Sequence, residues 1–137
     1  MDFASISFNA RSNRAVGLKL DFRFDDISLP PMILTDTIQQ FRHEFNDSSA
    51  SHKFEIILSG KQPEMTKLDH KGNIVEDVFA EIFDFKIAEI ELGQVFYGQS
   101  IYFYHGKLGQ FYKQLGCNGI VTFNFYSPVY VWLMENL

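Results

Sequence analysis

Residues Val16 to Phe24 carry the most restrictive pattern in the chain. Val16, Leu18, Leu20, Phe22 and Phe24 alternate with Gly17, Lys19, Asp21 and Arg23. A strand sends successive side chains to opposite faces. The segment therefore predicts a strand with one buried and one wetted face, as antiparallel sheets commonly show. Asp25-Asp26 and Pro30-Pro31 are expected to close it, because proline cannot donate to a ladder.

The same period recurs. Phe3 to Asn9 sets Ala4, Ile6 and Phe8 against Ser5, Ser7 and Asn9. Residues 1–14 are expected to form an N-terminal arm or edge strand. Lys53 to Leu58, Gln99 to Tyr104 and Ile120 to Tyr126 read as further strands. Ile74 to Leu92 reads as one or two, with a break near Ala88. Gly93 and Gly98 bracket a short connection, and His105 to Gln114 reads as a loop. Thr35 to Asn46 fits two readings. A helix would gather Leu34, Ile38, Phe41 and Phe45 on one side behind an Asp36 cap. A strand would align Phe41, His43 and Phe45, and the strand-rich surroundings favour it. Ser127-Pro128 has the signature of a helix start, with Ser127 as cap and Pro128 in the first turn. The whole predicts an all-β fold, an antiparallel β-sandwich or jelly roll with a short C-terminal helix, as one domain over 1–137.

Composition then excludes several classes. The length, 137 residues, suits one domain. Hydrophobic residues make up 46% and include 15 Phe, 6 Tyr and 1 Trp, enough apolar surface to exclude a disordered chain. No apolar run approaches the ~20 residues of a transmembrane helix. Formal charge is −5 and no Lys/Arg run exists, which argues against nucleic acid as partner. The single cysteine, Cys117, cannot form an internal disulfide, so burial alone must hold the fold. Met1-Asp2-Phe3-Ala4-Ser5 lacks the basic and apolar regions of a signal peptide, so synthesis in the cytoplasm is expected.

Catalytic constellations are missing from the spacing. His43, His52, His70 and His105 form no HxxxH or HExxH pattern, and there is no GxSxG nucleophile motif. Cys117 sits in a Gly-Cys-Asn-Gly turn and reads as a small space-filling residue. An enzyme is not expected. Asp69, Asn73 and Asp77 offer oxygen ligands around a turn and form a weak calcium set, although turn chemistry beside a solvated strand edge explains them better. The densest unusual segment is Phe96 to Tyr112. It supplies Tyr97, Tyr102, Tyr104, His105, Phe111 and Tyr112 as candidate binding or interface residues, since tyrosine joins a flat apolar body to a polar tip. In a strand, Tyr102 and Tyr104 share one face while Ile101 and Phe103 share the other.

A family resemblance adds to this. The relevant segments are Phe54-Glu-Ile-Ile-Leu-Ser-Gly-Lys, Leu68-Asp-His-Lys-Gly-Asn-Ile-Val-Glu-Asp and Ile87-Ala-Glu-Ile-Glu-Leu, then Leu115-Gly-Cys-Asn-Gly and Ser127-Pro-Val-Tyr-Val-Trp-Leu-Met-Glu-Asn-Leu. Over residues 54–137 the chain resembles small β-sandwich, carbohydrate-binding-module-like proteins of T-even-like tailed bacteriophages. The resemblance implies scaffold turns at Gly60, Asp69, Gly72, Asp77 and Asn118, with function in Tyr102 to Tyr112.

Three functions follow as expectations. The first is a non-enzymatic virion structural or accessory protein of neck, tail, fibre or capsid decoration, made in the host cytoplasm. It would act through contacts with other virion proteins or with itself, as an oligomer. The second is a carbohydrate-binding module that stacks glycans on Tyr102, Tyr104 and Tyr112. The third is a small jelly-roll enzyme acting on sugars.

Overall fold

The computed structural model describes residues 2–137. In chain order its strands begin with β1 (Phe3–Ser12), β2 (Lys19–Phe24), β3 (Ile27–Ile33), β4 (Gln39–Asn46) and β5 (Ala50–Ser59). Next come β6 (Lys67–Leu68), β7 (Ile74–Glu76), β8 (Ala80–Ile87) and β9 (Ile90–Glu91). Helix α1 (Gln94–Gln99) leads into β10 (Ser100–Tyr104), β11 (Lys107–Gln110), β12 (Gln114–Leu115) and β13 (Gly119–Ser127), and α2 (Val129–Asn136) ends the chain. One sheet runs β12-β8-β1-β4, with β9 beside β8. The other runs β11-β10-β13-β5-β2-β3, and β6-β7 form a small ribbon. The strand pairs are antiparallel, for example Phe54 opposite Phe123 and Phe22 opposite Ile56. The fold is an antiparallel β-sandwich.

The alternation seen in sequence is the alternation of burial. Leu18, Leu20, Phe22 and Phe24 are buried while Lys19, Asp21 and Arg23 reach the surface. Eleven of the 15 phenylalanines are buried, and they belong to one core shared by both sheets. Phe8 stacks on Phe41 at 4.8 Å, and Phe85 stacks on Phe96 at 3.8 Å. Full burial of each such ring is worth about 1.5–3 kcal/mol, so this layer is one part of what offsets the ordering entropy of a disulfide-free chain.

Several expectations need correction. Phe3–Ser12 is no edge strand or arm, because β1 pairs with both β4 and β8. Its small Ser5 and Ser7 are buried on the outer face beneath longer neighbours. Val16 lies outside β2 and is exposed. Pro30-Pro31 do not end a strand. They sit in β3, the sheet edge, opposite a register shift between Leu20 and Phe22, where a missing donor is tolerated. Asp25-Asp26 instead make the hairpin turn, both with positive φ, as a two-residue primed turn requires. Thr35 to Asn46, by contrast, follows the strand reading: it yields β4, and Phe41 and Phe45 point into the core. The connection after Gly93 is helix α1, and His105 to Gln114 contains β11 rather than only loop.

Helix α2 forms as expected at the C-terminus, with one shift at its start. Pro128 is the cap residue itself, the Val129 N–H donates to Asp47 Oδ1 at 2.9 Å, and the Ser127 hydroxyl turns inward instead. Val129, Trp132 and Leu133 cover the inner face of β13, with the Trp132 ring edge-on to Phe123 at 5.6 Å.

Candidate functional site

Three connections meet at one end of the second sheet. Strand β5 ends there at Ser59, β13 begins there at Gly119, and the β10–β11 turn lies alongside at His105-Gly106. Between them is a cleft of about 390 Å3. One wall is the segment after β5, with Lys61, Gln62, Pro63 and Thr66. The facing wall is Gly116, Cys117 and Asn118, and His105 closes the third side. Gly60 turns the chain into this segment with φ +91, and an added Cβ would lie 3.1 Å from the Gly17 carbonyl oxygen. Pro63 then opens a single 3-10 turn over Pro63–Met65.

Lys61 ties these walls together. Its backbone N–H donates to Asn118 Oδ1 at 2.9 Å, and its carbonyl accepts from Asn118 Nδ2 at 3.0 Å. Its side chain is only 8% exposed, and its ammonium donates to Asp77 Oδ1 at 2.7 Å, to Gly116 O at 2.8 Å and to Val78 O. Asp77 Oδ1 also accepts from the Thr66 hydroxyl at 2.7 Å and from the Val78 N–H. Burial pushes the Asp77 carboxyl up, but the hydrogen bonds from Lys61, Thr66 and Val78 outweigh it and hold the group below its ordinary value.

The aromatic residues beside the cleft come from β10. Tyr102 is buried, and burial pushes its hydroxyl up to about 12. Its hydroxyl donates to Cys117 O and accepts from the Cys117 N–H, so it fixes the second wall from below. Tyr104 stacks on Tyr102 at 4.5 Å and meets the His105 ring edge-on at 5.7 Å. Lys107 lies over the Tyr104 ring at 5.8 Å. Gly109 and Gly119 make room for these rings, since a Cβ on either would fall within 3.0 Å of Tyr104 or Tyr102. His105 is exposed, and among the described residues its imidazole has no hydrogen-bond partner, so both nitrogens face solvent or a ligand.

No family model and no curated protein sequence matches the chain. Two solved structures do match. One is described as vCBM60 in complex with galactobiose: TM-score 0.56, 13% identity, covering 88% of this chain and 99% of that chain. The other is the selenomethionine form of vCBM60, from work linking two families of calcium-dependent carbohydrate binding modules by circular permutation. It has a TM-score of 0.58 and 12% identity, covering 88% of this chain and 89% of that one. The chain shares the sandwich fold of these carbohydrate-binding modules. Neither description names a bacteriophage, so only the module half of the resemblance gains support.

The six aromatic and histidine candidates do not form one platform. Phe111 is core, Tyr102 is buried, and Tyr97 is half-buried with its hydroxyl donating to Ile82 O at 2.8 Å. Tyr112 is 71% exposed and bonds Gln110, away from the cleft lining. Only His105 lines the cleft, with Tyr104 against it. The proposed calcium residues are also divided. Asp69 Oδ1 accepts the backbone N–H groups of Lys71 and Asn73, each at 2.9 Å, which holds the Asp69 carboxyl below its ordinary value. Asp77 is committed to Lys61. Among the described residues no group of three or more His, Cys, Asp or Glu side chains is placed to hold a metal ion. Sequence reasoning missed Lys61, Gln62 and Thr66. Gly60-Lys-Gln-Pro and Gly116-Cys-Asn were legible as turns, but nothing local says that they face each other across 57 positions.

Two other features lie outside the cleft. On the outer face of the first sheet, Phe3, Ser5, Arg42, Glu44 and Glu89 line a trough of about 300 Å3. Its polar groups are spent on one another, with Arg42 donating to Glu89 at 2.6 Å and Ser5 to the same oxygen at 3.2 Å. At the opposite end of the sandwich, Ser127, His52 and Asp25 form a hydrogen-bonded chain with the spacing of a nucleophile, base and orienting acid. Ser127 is 5% and His52 7% exposed, and the His52 ring is packed by Phe24, Phe45 and Phe125. A hydroxyl buried this deeply offers a substrate carbonyl no approach, so the hydrogen-bonded chain closes the core.

Proposed function

We propose that the protein is a non-catalytic carbohydrate-binding module that takes a glycan in the cleft beside His105. The observation that carries this reading is the pairing of an open imidazole and the Tyr104 ring with a wall held rigid by Lys61 and Asn118. A sugar ring presents an apolar face for a flat ring and hydroxyls for polar groups; the His105 ring lines the cleft, with Tyr104 behind it, beside the polar walls. The galactobiose complex of a sandwich with the same fold supports the ligand class, although fold alone does not assign function. A glycan array that includes galactose-containing disaccharides tests it. Binding should weaken in His105→Ala and in Tyr104→Ala and persist in Tyr112→Ala. A blank array, or equal binding by all three variants, rejects the reading.

A second reading, a protein that acts through contacts with itself or with other proteins, of which a virion component is one case, has a different observation in its favour. Leu108 is 70% exposed, and it continues through Phe103 and Ile101 as an apolar strip on the outer face of the second sheet. Self-association in size-exclusion chromatography, and the protein's presence in purified particles, would favour that reading over a free module.

The two candidate calcium positions of this chain have their oxygens engaged otherwise. Calcium takes six to eight oxygen ligands. At Asp77 the converging oxygens already surround an ammonium, and at Asp69 they are spent on a turn. At Asp77 the oxygens present fit the lysine rather than a divalent ion.

A further inference from the structure

We propose that the Lys61 ammonium is the resident cation of the cleft, standing in an oxygen cage in the place that a divalent ion would take. An ammonium carries three N–H donors. Here three acceptors meet them: the carboxylate of Asp77 and the main-chain carbonyls of Val78 and Gly116. One carboxylate and two carbonyls are also the donor chemistry that a hard cation prefers. The cage draws on three separate stretches of chain, at 61–66, 77–78 and 116–118, and two of them are cleft walls. The Thr66 hydroxyl and the Val78 N–H donate to the same carboxylate oxygen as the ammonium, so Asp77 Oδ1 has no spare lone pair for a metal.

The charge is covalently attached. A metal would leave when chelated, whereas this cation stays at any calcium concentration. The cleft should therefore keep its shape in chelator. Where glycans are concerned, this rests on the carbohydrate-binding reading, because only then is a ligand held there. The cage itself stands or falls independently of any glycan.

Calorimetric titration of the intact chain with calcium chloride, and thermal melts in calcium and in EDTA, test the cage directly. No heat of binding and an unchanged Tm are expected; saturable calcium binding or a Tm raised by calcium overturns the proposal. Two variants add an independent arm. Lys61→Met keeps length without charge and should lower Tm, and Lys61→Ala should lower it further. Methylammonium chloride should restore part of the Lys61→Ala loss, while sodium chloride at equal ionic strength should not. A Lys61→Met protein as stable as the parent also overturns it. If neither variant folds, the calcium titration of the parent chain still decides. Where the array finds a glycan, its binding should be the same with and without EDTA. A blank array rejects the carbohydrate reading and leaves the cage result untouched.

Discussion

The hydroxyl oxygen of Ser127 lies 2.9 Å from His52 Nε2, and the opposite ring nitrogen lies 2.7 Å from Asp25 Oδ2. A neutral ring with its proton on Nδ1 satisfies both contacts, donating to Asp25 and accepting from Ser127. The Asp25 carboxylate is held in turn by the Lys53 N–H at 2.8 Å. The chain joins the β2–β3 turn to the ends of β5 and β13. Its role is to close the core, so Ser127→Ala should cost about 1–2 kcal/mol by leaving a buried ring nitrogen unpaired. Urea unfolding measures this. A fluorophosphonate serine reagent should leave Ser127 unlabelled, and rapid labelling would instead revive an enzymatic reading.

The phenylalanine layer makes a second, sharper expectation. Phe54 is fully buried and touches the rings of Phe8, Phe22, Phe41 and Phe85. Phe54→Ala should cost about 3–5 kcal/mol, because the ring's transfer energy and the cavity left behind add together. Phe3 is 64% exposed, and Phe3→Ala should stay within about 0.5 kcal/mol of the parent. Equal midpoints for the two variants in denaturant would contradict the assigned core.

Much of that core was legible because the burial period is two and the sequence period is two. Phe22, Phe24, Phe54, Phe123 and Phe125 were all placed by alternation alone. The failures have different causes. β1 was expected at an edge because a sequence does not show which strands flank it, and pairing with β8 joins residues as distant in sequence as Ile6 and Ile87. Pro30-Pro31 act as breakers only where a donor is needed, and an edge strand needs none. Of the site, His105 and Tyr104 were visible as unusual residues. Phe111 and Tyr102 looked the same in sequence but point inward. Lys61 had no local signal, since a lysine beside glycine reads as surface until its three oxygens are assembled from elsewhere.

The Lys61–Asp77 pair sets a pH expectation whose sign follows from the depressed carboxyl. A group with a folded pKa below its unfolded value near 3.8 contributes stability above that value. The contribution is lost as pH falls below 3.8 and through the lower folded value. Asp77→Asn should therefore cost about 2–3 kcal/mol at neutral pH, toward the low end for breaking a buried pair because the Asp77 side chain is 27% exposed. The gap between parent and variant should narrow as pH drops below 3.8. Denaturant midpoints at successive pH values test this, and a constant gap would place the effect elsewhere.

Gly119 and Gly109 separate scaffold from site. A Cβ at Gly119 would lie 2.4 Å from the Phe103 carbonyl oxygen and 2.9 Å from the Tyr102 ring. The nearer atom is backbone in a paired strand, so it cannot yield cheaply. Gly119→Ala should cost about 1–3 kcal/mol, the usual range for overpacking. At Gly109 the added Cβ would meet only the Tyr104 side chain, at 2.7 Å, and a side chain can swing aside. Gly109→Ala should melt close to the parent, yet displace the ring that borders the cleft. Its glycan affinity should fall as Tyr104→Ala does, while Gly119→Ala should lose chiefly stability. Thermal melts and glycan titrations of both variants distinguish the two effects. A Gly109→Ala protein with parental affinity would remove Tyr104 from the site.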